Sequence, residues 1–200
     1  MIATIPTEPV GLPGLAVLGV GIALFGAGLL VARARRKPQD KVGGQRAAKS
    51  WGGILIQMLG IAVIGFGPIN VALDPMGGAA LGEAAVVAAL MAGAIWLFSA
   101  SSRAMGRNWA IVASTRSDHQ LVTSGPFAYV RNPIYVALLL IGFAFAVAYG
   151  HYAGLVLGVP LYLLGTMMRV RIEERLLRDQ FGGAYDAYCA RVKRFVPGIV

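Results

Sequence analysis

The chain has 200 residues, of which 57% are hydrophobic and 14% are charged, and its mean hydropathy is +0.68. An ordinary soluble domain carries roughly a quarter charged residues, so this composition excludes that class and predicts an integral membrane protein. The net charge of +9 would suit a nucleic-acid-binding protein, but the basic residues lie outside the apolar runs, and we expect no nucleic-acid partner.

The first half of the chain holds three apolar runs, which predict three membrane spans. They cover residues 11–32, 51–73 and 84–102, and each is long enough to cross a hydrocarbon core of about 30 Å as a helix. A charged loop at 33–50 separates the first two runs. A short turn at 74–83, rich in glycine and containing a proline, separates the second from the third.

The second half begins with a polar segment, residues 103–131, which cannot lie in lipid without partners. An almost uncharged run of 36 residues, 133–168, then follows. As one helix it would be about 54 Å long, too long for one crossing, so it predicts two spans joined at Gly150 and His151. We expect His151 to lie at the outer membrane interface.

The carboxy-terminal part of the chain is charged and is expected to lie at the membrane surface. Residues 169–180 predict an amphipathic helix, and Gly182 and Gly183 interrupt it before a second helical piece at 184–194. The predicted fold is therefore an all-α polytopic membrane helix bundle with about five transmembrane helices. Residues 1–102 would supply the first three spans, and residues 103–200 would form a second functional part.

The placement of the basic residues predicts the orientation. Seven, four and seven of them fall in the second, fourth and last aqueous segments, which accounts for all 18 in the chain. By the positive-inside rule, the amino terminus lies outside and the carboxyl terminus in the cytoplasm. The alanine-, glycine- and arginine-rich composition and short loops suggest a prokaryotic cell membrane.

Two polar features could carry chemistry. At residues 131–133, Arg-Asn-Pro stands at the start of a span, where backbone N–H groups can bind anions or where Asn132 can simply cap the helix. Arg169 and Glu173 lie four residues apart and can form a surface ion pair, or the arginine can grip a carboxylate. Spacing alone leaves both choices open. Two separated histidines and the lone Cys189 predict no metal site.

A longer pattern of motifs in the second half of the chain gives more information about function. The stretch HQLVTSGPFAYVRNPIY at 119–135 is followed by an apolar hairpin and by RVRIEERLLRDQFGGAYDAYCARVKRFVP at 169–197, and MGRNW stands earlier at 105–109. This order of motifs resembles the isoprenylcysteine carboxyl methyltransferase family and its relatives among the phospholipid methyltransferases. The resemblance covers about half of the chain, from residue 103 to residue 197.

The resemblance implies a membrane methyltransferase that uses S-adenosylmethionine and releases S-adenosylhomocysteine. It implies that Arg169 and Glu173 are catalytic, with Arg169 orienting the substrate. The implied cofactor-binding residues are His119, Gln120, Leu121, Val122, Phe127, Asn132, Pro133, Ile134, Tyr135 and Glu173. The chain departs from the family pattern at Asn132, where relatives have histidine, and at Phe127, where they have tyrosine.

These observations predict methyl transfer to a carboxylate on a lipophilic, isoprenylcysteine-like acceptor. Transfer from a sulfonium needs positioning and exclusion of water and requires no nucleophilic residue of the protein. One alternative is methylation of a phospholipid amine, for which Glu173 or Glu174 would be the nearest base. Another is a membrane protein that binds a lipid or ligand without catalysis. Membrane lipids are expected contacts, and the oligomeric state is left open.

Overall fold

The computed structural model describes residues 7–35, 44–106 and 121–198, with the side chains of 44–50 left aside. Helices dominate these parts of the chain, and their bounds are α1 Leu12–Ala34, α2 Gly44–Gly65, α3 Gly78–Met105, α4 Pro133–Tyr149, α5 Tyr152–Phe181 and α6 Gly183–Arg191. A short 3₁₀ turn spans Gly125–Ala128. Two strands of two residues each, β1 Pro9–Val10 and β2 Asn70–Val71, pair in parallel.

Five of these helices are strongly apolar. By length and composition α1, α3 and α5 can each cross a membrane, while α4 and the Trp51–Gly65 part of α2 are shorter apolar helices. The prediction of an all-α membrane bundle is therefore confirmed.

The helices pack in two groups that meet along α4. Helices α1, α3 and α4 share one apolar core, in which buried residues recur every three or four positions, as expected for one face of a helix. On α3 these are Val87, Met91, Ala94 and Phe98, and on α4 they are Ala137, Ile141, Ala144 and Ala148. Helix α2 packs mainly along α5 and also contacts α4.

Glycines let α2 and α5 approach backbone to backbone. A Cβ added at Gly60 would lie 2.5 Å from the backbone nitrogen of Tyr162, and one at Gly165 would lie 2.5 Å from that of Gln57. Both distances are below 3.0 Å, which nonbonded contacts of a Cβ essentially never reach, so a side chain at either site would push the helices apart. Small residues at helix interfaces serve this purpose in membranes, where close packing supports association.

Two helices, α4 and α5, stand where the sequence predicts the hairpin, and the turn between them is buried within the protein. Helix α4 ends at Tyr149, and Gly150 follows it with a φ of +67°, in the left-handed region that glycine tolerates. His151 follows and is 1% exposed, with Nε2 3.0 Å from the carbonyl oxygen of Pro68. The segment after α2 folds over His151, and its place at the outer membrane interface stays a prediction.

Four predicted boundaries also change. Helix α2 begins at Gly44, seven residues before the predicted start, so the end of the predicted loop at 33–50 is helical. Helix α5 runs unbroken to Phe181, so residues 169–180 extend the last span and do not form a separate helix, since neither glycine nor proline interrupts the chain there. Helix α2 ends at Gly65, eight residues before the predicted end, and Gly67 and Pro68 follow it. Helix α3 begins at Gly78, which places Glu83 inside the helix.

Candidate active site

The first residues of α4 and the second half of α5 meet in a polar cluster. Tyr135 lies in the first turn of α4, and its hydroxyl donates a hydrogen bond of 2.6 Å to Glu173 Oε1. Arg169 Nη2 is 3.8 Å from the same oxygen, and Arg169 Cζ is 5.0 Å from the centroid of the Tyr135 ring. The hairpin thus brings together residues that are 34 and 38 positions apart in the sequence.

Burial shows that Arg169 and Glu173 do not form a surface ion pair. Arg169 is 8% exposed and Tyr135 is 7% exposed, whereas the Glu173 side chain keeps 25% of its surface. A guanidinium is rarely buried to this extent unless other groups hold it. Of the three side chains, that of Glu173 keeps the most exposed surface.

Helix α2 supplies a residue that the sequence reasoning missed. Gln57 is 4% exposed, and its Oε1 accepts a hydrogen bond of 3.0 Å from Arg169 Nη1. Its Nε2 donates a hydrogen bond of 2.8 Å to Thr166 Oγ1. A signal was present, because Gln57 is the only amide side chain in the run from 51 to 66, and polar groups inside membrane helices are commonly functional.

The backbone under Tyr135 is also held. Tyr162 of α5 is 1% exposed, and its hydroxyl donates a hydrogen bond of 2.6 Å to the carbonyl oxygen of Tyr135. The first turn of α4 is therefore fixed to α5 through both a side chain and the main chain.

Glu174 lies beside Glu173 in the sequence and has different partners. Its Oε1 accepts hydrogen bonds of 2.9 Å from Arg131 and from Arg194, and its Oε2 accepts one of 2.7 Å from Arg194. Arg131 also donates to the carbonyl oxygens of Cys189, at 3.1 Å, and Val192, at 2.8 Å. Glu174 thus joins the start of α4 to the carboxy-terminal segment.

The carboxy-terminal segment also holds Asn132, the residue before α4. The backbone N–H of Asn132 donates to the carbonyl oxygen of Arg194 at 3.0 Å, and its side-chain Nδ2 donates to the same oxygen at 3.3 Å. Asn132 occupies the N-cap position with Pro133 at the first helical position, as expected, but its side chain makes no capping bond. Its amide instead holds the chain after α6.

The remaining predicted cofactor residues are dispersed. Leu121 packs against the buried Tyr185, Tyr188 and Val192. The carbonyl oxygen of Phe127 accepts a hydrogen bond of 2.7 Å from Tyr188. Val122 is half-buried, Pro133 is buried, and Ile134 packs towards the core of α1, α3 and α4. His119 and Gln120 lie outside the described residues.

The tyrosines of α6 act as neutral donors and packing groups. Burial raises the pKa of Tyr188 to about 12, and burial also raises the pKa of Tyr185. Both stay protonated at neutral pH, which matches the bond that the Tyr188 hydroxyl donates. Hydrogen bonding of Arg194 to the Glu174 carboxylate raises the pKa of Arg194, which keeps that guanidinium charged.

Two comparisons relate the chain to known proteins. Over 88 residues the chain is 34% identical to a protein-S-isoprenylcysteine O-methyltransferase of Schizosaccharomyces pombe. The aligned part is 44% of this chain and 37% of that relative, so the chain spans little more than a third of the relative's length. Residues 83–184, just over half of the chain, match the phospholipid methyltransferase family. The matched range contains Tyr135, Arg169, Glu173 and Glu174, and the chain belongs to the phospholipid methyltransferase family.

Proposed function

We propose that this chain is an integral membrane methyltransferase that uses S-adenosylmethionine to methylate a carboxylate on a lipophilic acceptor. The observation that carries the proposal is the buried cluster in which Arg169 and Glu173 meet Tyr135. Arg169 can hold an anionic acceptor, and Glu173 can hold a cationic donor.

The residues present fit the chemistry of the cofactor. When bound, S-adenosylmethionine supplies an activated methyl group on a sulfonium sulfur and also carries an ammonium group. Glu173 offers a carboxylate on a partly exposed side chain, with Oε1 fixed by Tyr135, while Oε2 receives no hydrogen bond from the described part of the chain. A carboxylate held in this way suits a cation. We propose as cofactor contacts the residues that the family resemblance implies: His119, Gln120, Leu121, Val122, Phe127, Asn132, Pro133, Ile134, Tyr135 and Glu173.

Arg169 is proposed to orient the acceptor. Its planar fork matches a carboxylate in a bidentate arrangement, and a carboxylate reacts as the anion, so the protein has no proton to remove. The relative from Schizosaccharomyces pombe is named as an O-methyltransferase of protein S-isoprenylcysteine, which favours an oxygen acceptor on a prenyl-like lipid.

The family description supports an amine acceptor as the second candidate, because the family is described as phospholipid methyltransferase. An amine acceptor would need a base to take its proton. Glu174 is unsuited to that task because Arg131 and Arg194 stabilise its charged form. Glu173 would be the base, although its fixed contact with Tyr135 fits a binding role better. A role in ligand binding without catalysis is disfavoured by the assembled cluster.

The proposed setting is a prokaryotic cell membrane, with the amino terminus outside and the carboxyl terminus in the cytoplasm. The excess of basic residues in alternate aqueous segments supports this orientation. The site would then lie near the cytoplasmic leaflet, where a polar cofactor can enter from the aqueous side and a lipid acceptor from the bilayer.

The test uses purified full-length protein in lipid nanodiscs. Calorimetry with S-adenosylmethionine is expected to show saturable binding. Protein supplied with a labelled methyl donor is expected to label an S-prenylated N-acetylcysteine, and mild base should release the label because the product is a methyl ester. Base-stable label on phosphatidylethanolamine would establish the amine alternative. A folded protein that binds no cofactor would overturn the proposal.

A further inference from the structure

We propose that Gln57 of α2 is a positioning residue that holds the Arg169 guanidinium in the site for the acceptor carboxylate. The inference rests on the proposed function and extends it to a helix that lies outside the matched range, 83–184. It concerns a residue 112 positions away from Arg169 in the sequence.

The first argument is the direction of the two hydrogen bonds. Gln57 Oε1 accepts from Arg169 Nη1 at 3.0 Å, and Gln57 Nε2 donates to Thr166 Oγ1 at 2.8 Å. Thr166 lies three residues before Arg169 on α5, so the amide of Gln57 is bound at both ends to one face of the same helix. An amide held at both ends cannot rotate without breaking a buried hydrogen bond, which costs about 1–3 kcal/mol.

The second argument is the room that two glycines leave. A Cβ at Gly165 would lie 2.5 Å from the backbone nitrogen of Gln57, so the glycine lets α2 approach α5 at this level. A Cβ at Gly53 would lie 2.7 Å from Arg169 Cγ, so the stem of the arginine crosses α2 where there is no side chain. Gln57 and the Arg169 stem are therefore both confined by backbone.

The third argument is the chemistry of an amide. Gln57 is neutral, so it directs the guanidinium without placing another carboxylate against it. Glu173 lies 3.8 Å from Arg169, which is longer than the 2.7–2.9 Å that is typical of charge-assisted hydrogen bonds. Arg169 thus lies closer to the neutral acceptor Gln57, at 3.0 Å, than to Glu173, which suits an arginine that has to bind an anionic substrate.

Gln57→Leu and Gln57→Glu separate positioning from packing. Leucine removes both hydrogen bonds, and we expect kcat/KM for the acceptor to fall roughly tenfold to hundredfold while the cofactor Kd stays within twofold. Glutamate would place a carboxylate against the guanidinium and compete with an anionic acceptor. We expect Gln57→Glu to fold with unchanged thermal stability and to lose acceptor turnover to a similar extent.

The threonine provides a matched pair. Thr166→Ser keeps the hydroxyl that accepts from Gln57, and its kcat/KM should stay within about threefold of the unmodified protein. Thr166→Val keeps the shape of the side chain and removes the hydroxyl. Its kcat/KM for the acceptor should fall severalfold, as is expected for Gln57→Leu. Gly60→Ala serves as the packing control, because it disturbs the same pair of helices at Tyr162, one turn away from the cluster.

The outcomes distinguish the two proposals. Absence of methyl transfer by the unmodified protein would overturn the proposed function and this inference with it. If the unmodified protein transfers methyl groups normally, two results would overturn the positioning role and leave the proposed function standing. One is full activity of Gln57→Glu, and the other is equal activity of Thr166→Val and Thr166→Ser. Proportional losses of cofactor binding and turnover in Gln57→Leu, as in Gly60→Ala, would also assign Gln57 to packing alone. If Gln57→Leu does not fold, Gln57→Glu, Thr166→Ser and Thr166→Val decide.

Discussion

At the scale of single residues, the two adjacent glutamates of α5 have different tasks. Consecutive residues on a helix point about 100° apart, so Glu173 and Glu174 face different neighbours. Glu173 meets Tyr135 and Arg169, while Glu174 is held by two guanidiniums at 2.7–2.9 Å. Both positions hold glutamate, so the difference between them comes from their neighbours in the fold. These make Glu173 a candidate binding group and Glu174 part of a structural ion pair.

The proposed roles of Glu173 and Arg169 predict different defects. Glu173→Ala removes the carboxylate proposed to hold a cation, and the cofactor Kd should rise at least about tenfold, since a charged hydrogen bond contributes roughly 1.5–3 kcal/mol. Arg169→Ala should lower kcat/KM for the acceptor by about a hundredfold and change the cofactor Kd little. Calorimetry and steady-state kinetics measure the two effects.

Arg171 provides the matched control, because it is an exposed arginine on the same helix. Arg171→Ala should leave both the cofactor Kd and kcat/KM for the acceptor unchanged. Equal and small effects of Glu173→Ala and Arg169→Ala on an active enzyme would contradict the assigned roles.

At the scale of elements, the carboxy-terminal segment holds the entrance of α4. Backbone bonds join Arg131 to Lys193, at 2.8 Å, and Asn132 to Arg194, at 3.0 Å. Glu174 reinforces this junction from α5. Because Tyr135 follows in the first turn of α4, the segment after α6 helps to set where the tyrosine meets Glu173.

Glu174→Gln should therefore destabilise the protein. Loss of one partner from a buried ion pair leaves the other charge without compensation, and Arg131 has only 10% of its side chain exposed. We expect a loss on the order of 3 kcal/mol, measured by thermal unfolding in detergent. The exposed pair of Arg178 and Asp186 is the control, and Asp186→Asn should change stability little. A Glu174→Gln protein as stable as the unmodified one would show that the junction does not depend on this ion pair.

At the scale of the whole molecule, the apolar helices place the polar cluster at one end of the bundle. The turn between α4 and α5, with buried His151, lies at the other end of α4. All 18 basic residues fall in parts of the sequence that the predicted orientation assigns to the side of the cluster, and this supports the proposal of a cytoplasmic site.

Cysteine labelling tests the orientation. In a Cys189→Ser background, Met76→Cys and Val196→Cys place single thiols at residues that are 82% and 45% exposed. A membrane-impermeant maleimide should label Met76→Cys in intact cells and Val196→Cys only after permeabilisation. The reverse pattern would contradict the proposed topology, and labelling after permeabilisation is the control for thiol reactivity.

The sequence by itself determined the apolar helices and most of their ends, because apolar runs, Gly150 and Gly182 act on the chain locally. It also indicated Tyr135, Arg169 and Glu173 through the order of the motifs. It did not show that α5 continues past Met168, since a change from apolar to charged residues does not by itself end a helix.

Only the tertiary structure decided how the polar residues are paired. Gln57 meets Arg169 across 112 positions, and Arg131 meets Glu174 across 43, because packed helices bring distant turns to the same level. Spacing in the sequence carries no information about which turn of α2 lies against which turn of α5. That register depends on the glycines that let the two backbones touch, and it places Gln57 beside Arg169.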